Sequence, residues 1–189
     1  MSFALPDARS VAVNPTQAEM RAWVLEHMPR ITETEFGNLN YKAEVKARLA
    51  ASTFFIAEEE IHQNRMPRAE FDEWAAKQDA YIADKDMILV EGYIGPDPGF
   101  RTGCRLFMEK TNANIPAMQQ QLYFPPEEGF GAEFTVIYTP GLMAPGKPDD
   151  RLIIVDLETW TTRVFGSDYF GESKMGGLRM WNRQVYDRG

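Results

Sequence analysis

The sequence predicts a single α/β domain, a mixed β-sheet with flanking helices. Three observations predict it. Short runs of β-branched and aromatic residues alternate with longer runs of helical periodicity. No linker, internal repeat or low-complexity tract divides the 189 residues. Finally, 44% of the chain is hydrophobic and includes 12 Phe, 7 Tyr and 4 Trp, enough bulk for one core at this length.

Taken in order, residues 1–13 have weak periodicity and read as a partly ordered arm, which leaves 14–189 as the domain. Asn14-Pro15 reads as an N-cap with proline at the first helical position. Met20, Trp23, Val24 and His27 follow at i, i+3, i+4 and i+7, one apolar helix face, with His27 read as a packed core residue rather than a ligand. Alternating charge and alanine from Tyr41 to Ala51 lead into a strand, Thr53 to Ile56. Glu58, Glu59, Glu60 and His62 read as a solvated acidic run, because consecutive carboxylates point in different directions and rarely share one metal ion.

Arg68 to Asp84 reads as a helix behind Pro67, burying Phe71, Trp74, Ala75, Gln78 and Ile82. Met87 to Val90 is a strand, and the glycines and prolines from Gly92 to Gly99 make a rigid turn ending at Arg101. Arg105 to Glu109 is a strand. Thr111 to Gln121 reads as a short helix interrupted at Pro116, and Leu122 to Phe124 as a further strand. Phe134 to Ile137 is β-rich, Gly141 to Asp150 is a Pro/Gly loop, and Arg151 to Asp156 with Thr162 to Phe165 form a hairpin. A helix from Gly177 to Asp187 closes the chain.

The net charge of −8 argues against nucleic acid or an anionic membrane as partner, but leaves room for a local basic pocket for an anionic metabolite. Cys104 is alone, so no internal disulfide forms and a reducing compartment is expected. The first residues lack a basic and then apolar signal pattern, and no apolar run approaches the roughly 18 residues of a membrane helix. A cytoplasmic protein is expected.

Gly166-Ser167-Asp168-Tyr169-Phe170-Gly171-Glu172-Ser173-Lys174 lies between a predicted strand and a predicted helix. Backbone N–H groups at such a turn can face an anion. The stretch joins a phenol, a carboxylate, an amine and glycines that allow close backbone approach. A glycine-bounded turn with incidental polar side chains is the alternative reading.

The stretch resembles the Gly-Thr-x-Tyr-x-Gly-Glu-x-Lys-Lys segment of the ATP-dependent phosphoenolpyruvate carboxykinases. Gly166, Tyr169, Gly171, Glu172 and Lys174 match it, Ser167 stands for threonine, and Met175 stands for the second lysine. The resemblance extends to Glu91 through Arg101, similar to the family's Asp-x-Tyr-x-Gly-x-Asp-Pro-x-x-Arg turn, and to Phe134-Thr135-Val136-Ile137. At Ala47 to Thr53 only Arg48 remains of the polar Gly-Arg-Ser-Pro-x-Asp-Lys segment. The resemblance covers the chain from about Tyr41 onward and corresponds to the family's N-terminal, substrate-binding domain.

That resemblance implies a gluconeogenic lyase that turns oxaloacetate and ATP into phosphoenolpyruvate, ADP and carbon dioxide, a decarboxylase with phosphoryl transfer to the resulting enolate. It implies that Arg48 holds the substrate carboxylate, that Tyr169 and the Gly171 backbone lie beside the substrate, and that Tyr169 and Lys174 serve catalysis. The pattern Gly-x-x-x-x-Gly-Lys-Ser/Thr is absent, since Pro148 follows Gly146-Lys147. No cofactor is therefore expected in this chain. ATP and a divalent ion, Mg²⁺ or Mn²⁺, are expected only with a C-terminal nucleotide-binding domain in cis, and the isolated chain is expected to be inactive. Met175 offers a soft thioether, a poor ligand for either ion. The alternative is a non-catalytic, stand-alone module that binds a small carboxylate or a protein partner.

Overall fold

The computed structural model describes residues 3–44, 49–57 and 64–188. Its centre is a seven-stranded mixed sheet in the order β1-β5-β6-β7-β9-β8-β4. The strands are β1 (Ser10–Val13), β4 (Thr53–Ile56), β5 (Asp86–Ile94), β6 (Thr102–Glu109), β7 (Phe134–Thr139), β8 (Leu152–Asp156) and β9 (Thr161–Phe165). Strands β6, β7 and β9 run parallel, β5 and β8 run against them, and β1 and β4 are parallel to β5 and β8 at the two edges. β2 (Ile31–Glu33) and β3 (Leu39–Tyr41) form a separate antiparallel pair.

Alternation along the strands sends side chains to two faces. Ile88, Val90, Cys104, Leu106, Phe134, Val136, Tyr138 and Val164 pack against α1 (Gln17–His27), α4 (Asn114–Leu122) and α5 (Phe170–Arg188). Their neighbours Met87, Leu89, Phe107, Ile137, Ile154 and Phe165 face the other way, toward α3 (Arg68–Ile82) and the N-terminal residues Phe3 and Leu5. The result is a three-layer α/β/α sandwich. All six residues of β7 are buried, as a central strand covered on both faces requires.

Several local expectations are corrected. The segment expected as an arm contributes β1, and Arg9 and Ser10 both donate to Asp86. The N-cap of α1 is Thr16, not Asn14: its hydroxyl accepts from the Glu19 N–H, and the Glu19 carboxylate accepts from the Thr16 N–H. The helix starts two residues later than expected; His27, expected in the core, is exposed, and Met28 beyond the helix end is buried. Pro116 does not interrupt α4, because it occupies the first turn, where an N–H has no intrahelical acceptor. Leu122 ends that helix, and Phe124 makes only a single bridge to Tyr93, so no strand forms there. The closing helix begins at Phe170, seven residues before the expected start. Glu58, Glu59, Glu60 and His62 lie outside the described residues.

Among the described residues no helix is long and apolar enough to cross a membrane. Cys104 is fully buried, which pushes its thiol up to about 12. The turn after β5 is architectural: Asp97 receives the N–H groups of Phe100, Arg101 and Gly99, and Arg101 stacks on Tyr93 while pairing with Glu127.

Glu109, at the C-terminal end of β6, is buried and accepts from the Gly141 N–H and the Tyr81 hydroxyl. Burial raises its carboxyl above the ordinary 4.5 despite those donors. A carboxyl raised in the fold favours the protonated state. Its stabilising contribution is complete below the unfolded value and is lost as pH rises through the folded one. Glutamine at this position can accept from Gly141 and donate to Tyr81 without a charge. Glu109→Gln is expected to raise the thermal midpoint by roughly 2–4 °C at pH 7 and by nothing at pH 4. Scanning calorimetry at both values checks this, and an equal gain at both would contradict it.

Candidate functional site

Strands β6, β7 and β9 end together at Glu109, Thr139 and Phe165, and the turn after β9 carries the motif. Gly166 has φ 64, and a Cβ there would stand 3.0 Å from Met143 Sδ and 3.1 Å from the Asp150 carbonyl oxygen. Only glycine suits both conditions. Tyr138, reaching up from β7, fixes the turn from below: its Oη lies 3.0 Å from Ser167 Oγ and donates to the Tyr169 carbonyl at 2.9 Å. Burial keeps that phenol protonated, holding it well above its ordinary range.

Tyr169 is 41% exposed. It borders a groove of about 660 Å³ walled by α1, the β2–β3 pair, α4 and the start of α5. Gly171 lies beneath it: a Cβ at that position would be 2.3 Å from Tyr169 Cε1. The glycine thus makes room for the tyrosine ring. Gly171→Ala is expected to displace the ring while leaving stability unchanged or up to about 1 kcal/mol higher, since alanine is the better helix former and the ring is partly exposed, with solvent to swing into. Tyr169 ring proton shifts read the displacement and a melting curve reads the stability; an unmoved ring would refute the contact.

Lys174 lies five residues further along α5 and is exposed. It borders a different, smaller concavity of about 220 Å³, together with Ile94, Leu122, Tyr123 and Leu178. The structure therefore does not place Tyr169 and Lys174 in one pocket. Arg48 lies outside the described residues. The described residues flanking it are anchored at this end of the sheet: the Glu44 N–H donates to Asp168 Oδ2 at 2.9 Å, and Ser52 Oγ, in α2 (Leu49–Ser52), donates to the Pro148 carbonyl at 3.1 Å.

Two groups that carry this geometry, Asp168 and Tyr138, were not singled out from the sequence, and the burial of a third, Glu172, was not expected. Asp168 is 8% exposed and also accepts from the Tyr41 hydroxyl at 2.6 Å. Tyr138 was hidden within a strand that needed bulk in any case. Glu172 was read as part of a motif, yet it is fully buried: Oε2 accepts from Arg179 at 3.2 Å, while Oε1 has no partner among the described residues. Burial raises its carboxyl, and Arg179 opposes that shift. A carboxylate and aromatic hydroxyls clustered around a Gly-Ser turn were the available signal.

These features return the motif as a built turn with its tyrosine presented to solvent. The sequence model of the family described as phosphoenolpyruvate carboxykinase matches residues 9–189. The chain belongs to the phosphoenolpyruvate carboxykinase family. It is 30% identical over 129 residues to phosphoenolpyruvate carboxykinase (ATP) 1 of Moorella thermoacetica, a match covering 64% of this chain and 24% of that protein. It is 24% identical over 164 residues to phosphoenolpyruvate carboxykinase (ATP) of Caldanaerobacter subterraneus, covering 79% of this chain and 31% of the relative. The protein of the same name from Geobacter metallireducens is 31% identical over 112 residues, covering 56% and 21%. The chain thus matches less than a third of the length of each of these relatives.

Within a phosphoenolpyruvate carboxykinase framework the donor sets bear directly on cofactors. Among the described residues no group of three His, Cys, Asp or Glu side chains could hold a metal ion, and Met175 follows Lys174. The Gly141 to Lys147 loop is closed on itself: the N–H groups of Ala144, Gly146 and Lys147 go to Asp150 and Ala144, and the Lys147 amine pairs with Glu70. A phosphate would find neither a cradle of N–H groups nor an unengaged lysine there.

Proposed function

We propose that this chain is the substrate-binding, N-terminal domain of an enzyme like phosphoenolpyruvate carboxykinase (ATP), which converts oxaloacetate and ATP to phosphoenolpyruvate, ADP and carbon dioxide. The observation that carries the reading is the Gly166–Tyr169 turn. It presents Tyr169 at the end of the sheet where the residues flanking Arg48 are also tied down.

In this reading Arg48 grips a carboxylate through its planar fork. Tyr169 orients the substrate and shields one side of it from water, with Gly171 leaving room for the ring. Lys174, which borders a separate concavity on α5, adds positive charge to the field around the site rather than a direct contact. Nucleotide and metal would be bound by a domain outside these 189 residues. The lone, buried Cys104 suits a reducing compartment, which supports a cytoplasmic location.

Affinity for the small dianion should be weak, on the order of millimolar, because one domain supplies half a cleft. The test is a titration with phosphoenolpyruvate and oxaloacetate followed by ¹⁵N amide chemical shifts, repeated on Arg48→Met, Tyr169→Phe and Lys174→Met. Each variant should bind several-fold more weakly, and added salt should weaken all of them. ATP with Mg²⁺ should not bind. Wild-type affinity in all three variants, or micromolar ATP binding, would overturn the proposal.

A further inference from the structure

Arg151 lies in extended backbone between the single helical turn Pro148–Asp150 and β8. The strand register places it beside the motif turn. Leu152 pairs with Phe165, so Arg151 stands opposite Gly166, one strand spacing or about 5 Å away. The approach is tight enough that a Cβ on Gly166 would meet the Asp150 carbonyl oxygen at 3.1 Å. Alternation gives Arg151 the sheet face of Ile153, the face on which α5 packs.

No carboxylate answers this charge. Among the described residues Arg151 makes no ion pair, and its Nε is buried with no hydrogen-bond partner. Asp150, next to it in sequence, accepts from the Gly146 N–H through Oδ1 instead. The same-face positions around Arg151 supply no acceptor. Gly166 has no side chain, Ile153 and Val164 are apolar, and Thr53 Oγ1, one strand over on β4, is itself buried without a partner. The residue as a whole is half-buried, so it is sunk at Nε without being sealed from solvent. A buried N–H with no acceptor is unfavourable until a ligand supplies one. A carboxylate or phosphate suits it, because the planar guanidinium donates two parallel N–H bonds to two oxygens of one oxyanion. Two lysines of this half of the chain are placed otherwise: Lys147 pairs with Glu70, and Lys174 borders another concavity.

We infer that Arg151 is a further substrate-binding residue: it takes one oxyanion group of the small dianion proposed to lie at the Gly166–Tyr169 turn. The inference rests on that substrate reading, but the anion contact is testable by itself. Its chemistry fits a carboxylate or a phosphate alike, and the experiment separates the two.

The experiment uses the whole 189-residue chain and follows the Arg151 Nε–H signal in ¹H–¹⁵N spectra, assigned by its loss in Arg151→Lys. Phosphoenolpyruvate should move that signal saturably, with the same midpoint as the Tyr169 amide. Arg151→Met should weaken phosphoenolpyruvate binding about tenfold. Arg151→Lys keeps the charge but not the fork and should weaken it about threefold, in a chain whose amide spectrum remains that of the folded protein. Lys77→Met removes an exposed charge from α3, on the opposite face, and should change the affinity less than about twofold. Inorganic phosphate and pyruvate, titrated separately, show which oxyanion the arginine takes, and movement of the Nε–H signal by either supports the contact. A signal that moves with none of the three compounds overturns the inference. So does wild-type affinity for phosphoenolpyruvate in Arg151→Met, and in that case the substrate reading still stands. If the wild-type chain binds no phosphoenolpyruvate, the substrate reading fails, and the phosphate and pyruvate titrations still decide the anion contact.

Discussion

Replacing Gly166 with alanine is expected to cost about 3 kcal/mol of stability. Two effects add. A left-handed conformation costs a residue with a Cβ about 1–2 kcal/mol, and φ at Gly166 is 64. The new methyl would also press on Met143 Sδ at 3.0 Å and on the Asp150 carbonyl oxygen at 3.1 Å. Overpacking of that kind costs roughly 1–3 kcal/mol. A thermal midpoint lower by roughly 6–12 °C should follow for a chain of this size. Gly146 provides the control: its φ is 85, but nothing lies within 4 Å of the added Cβ. Gly146→Ala should therefore show only the conformational part, about 1 kcal/mol. Equal losses at the two positions would mean that the crowding around Gly166 is not felt.

Asp79→Ala should destabilise the opposite face by about 2–3 kcal/mol. Arg163 projects from β9 beneath α3 and is 3% exposed. It donates to Asp79 Oδ1 at 2.6 Å and to Gln78 Oε1 at 3.0 Å, and the Phe3 ring lies over its guanidinium. Truncating Asp79 leaves a buried positive charge with only a neutral acceptor. Removing one partner of a buried pair is expensive, about 3–5 kcal/mol when both ends are buried. Asp79 itself is 43% exposed, which places the expectation at the low end. Adding Arg163→Met to Asp79→Ala should restore part of the loss, because the unpaired charge goes with it. Urea denaturation of the four species checks this; a double variant less stable than Asp79→Ala would contradict the account.

The sheet was legible where burial dictated sequence. Phe134 to Ile137, Arg151 to Asp156 and Thr162 to Phe165 are strands because a central, doubly covered strand must be apolar almost throughout. The α3 face was legible because Phe71, Gln78 and Ile82 recur at helical spacing. β1 was not, since an edge strand with Val11 and Val13 exposed carries no burial pattern. Pro116 misled because proline breaks a helix interior yet is tolerated in a first turn, and sequence alone did not fix where α4 starts. Within the site, Tyr169 and Gly171 were found through the motif. Their mutual contact, and the ties from Tyr138 and Asp168, depend on residues brought together from β3, β7 and the turn. Lys174 was grouped with Tyr169 through the resemblance to the family motif, and the helix turns it toward another concavity.

The central claim is that a small carboxylate is held at the Gly166–Tyr169 turn. Amide chemical shifts of the ¹⁵N-labelled chain during titration with phosphoenolpyruvate test it most directly. The account predicts saturable shifts at Ser167, Asp168 and Tyr169 and at residues 44–49, attenuated by salt and lost in Arg48→Met. Shifts confined to other surfaces, or the same shifts persisting in Arg48→Met, would contradict it.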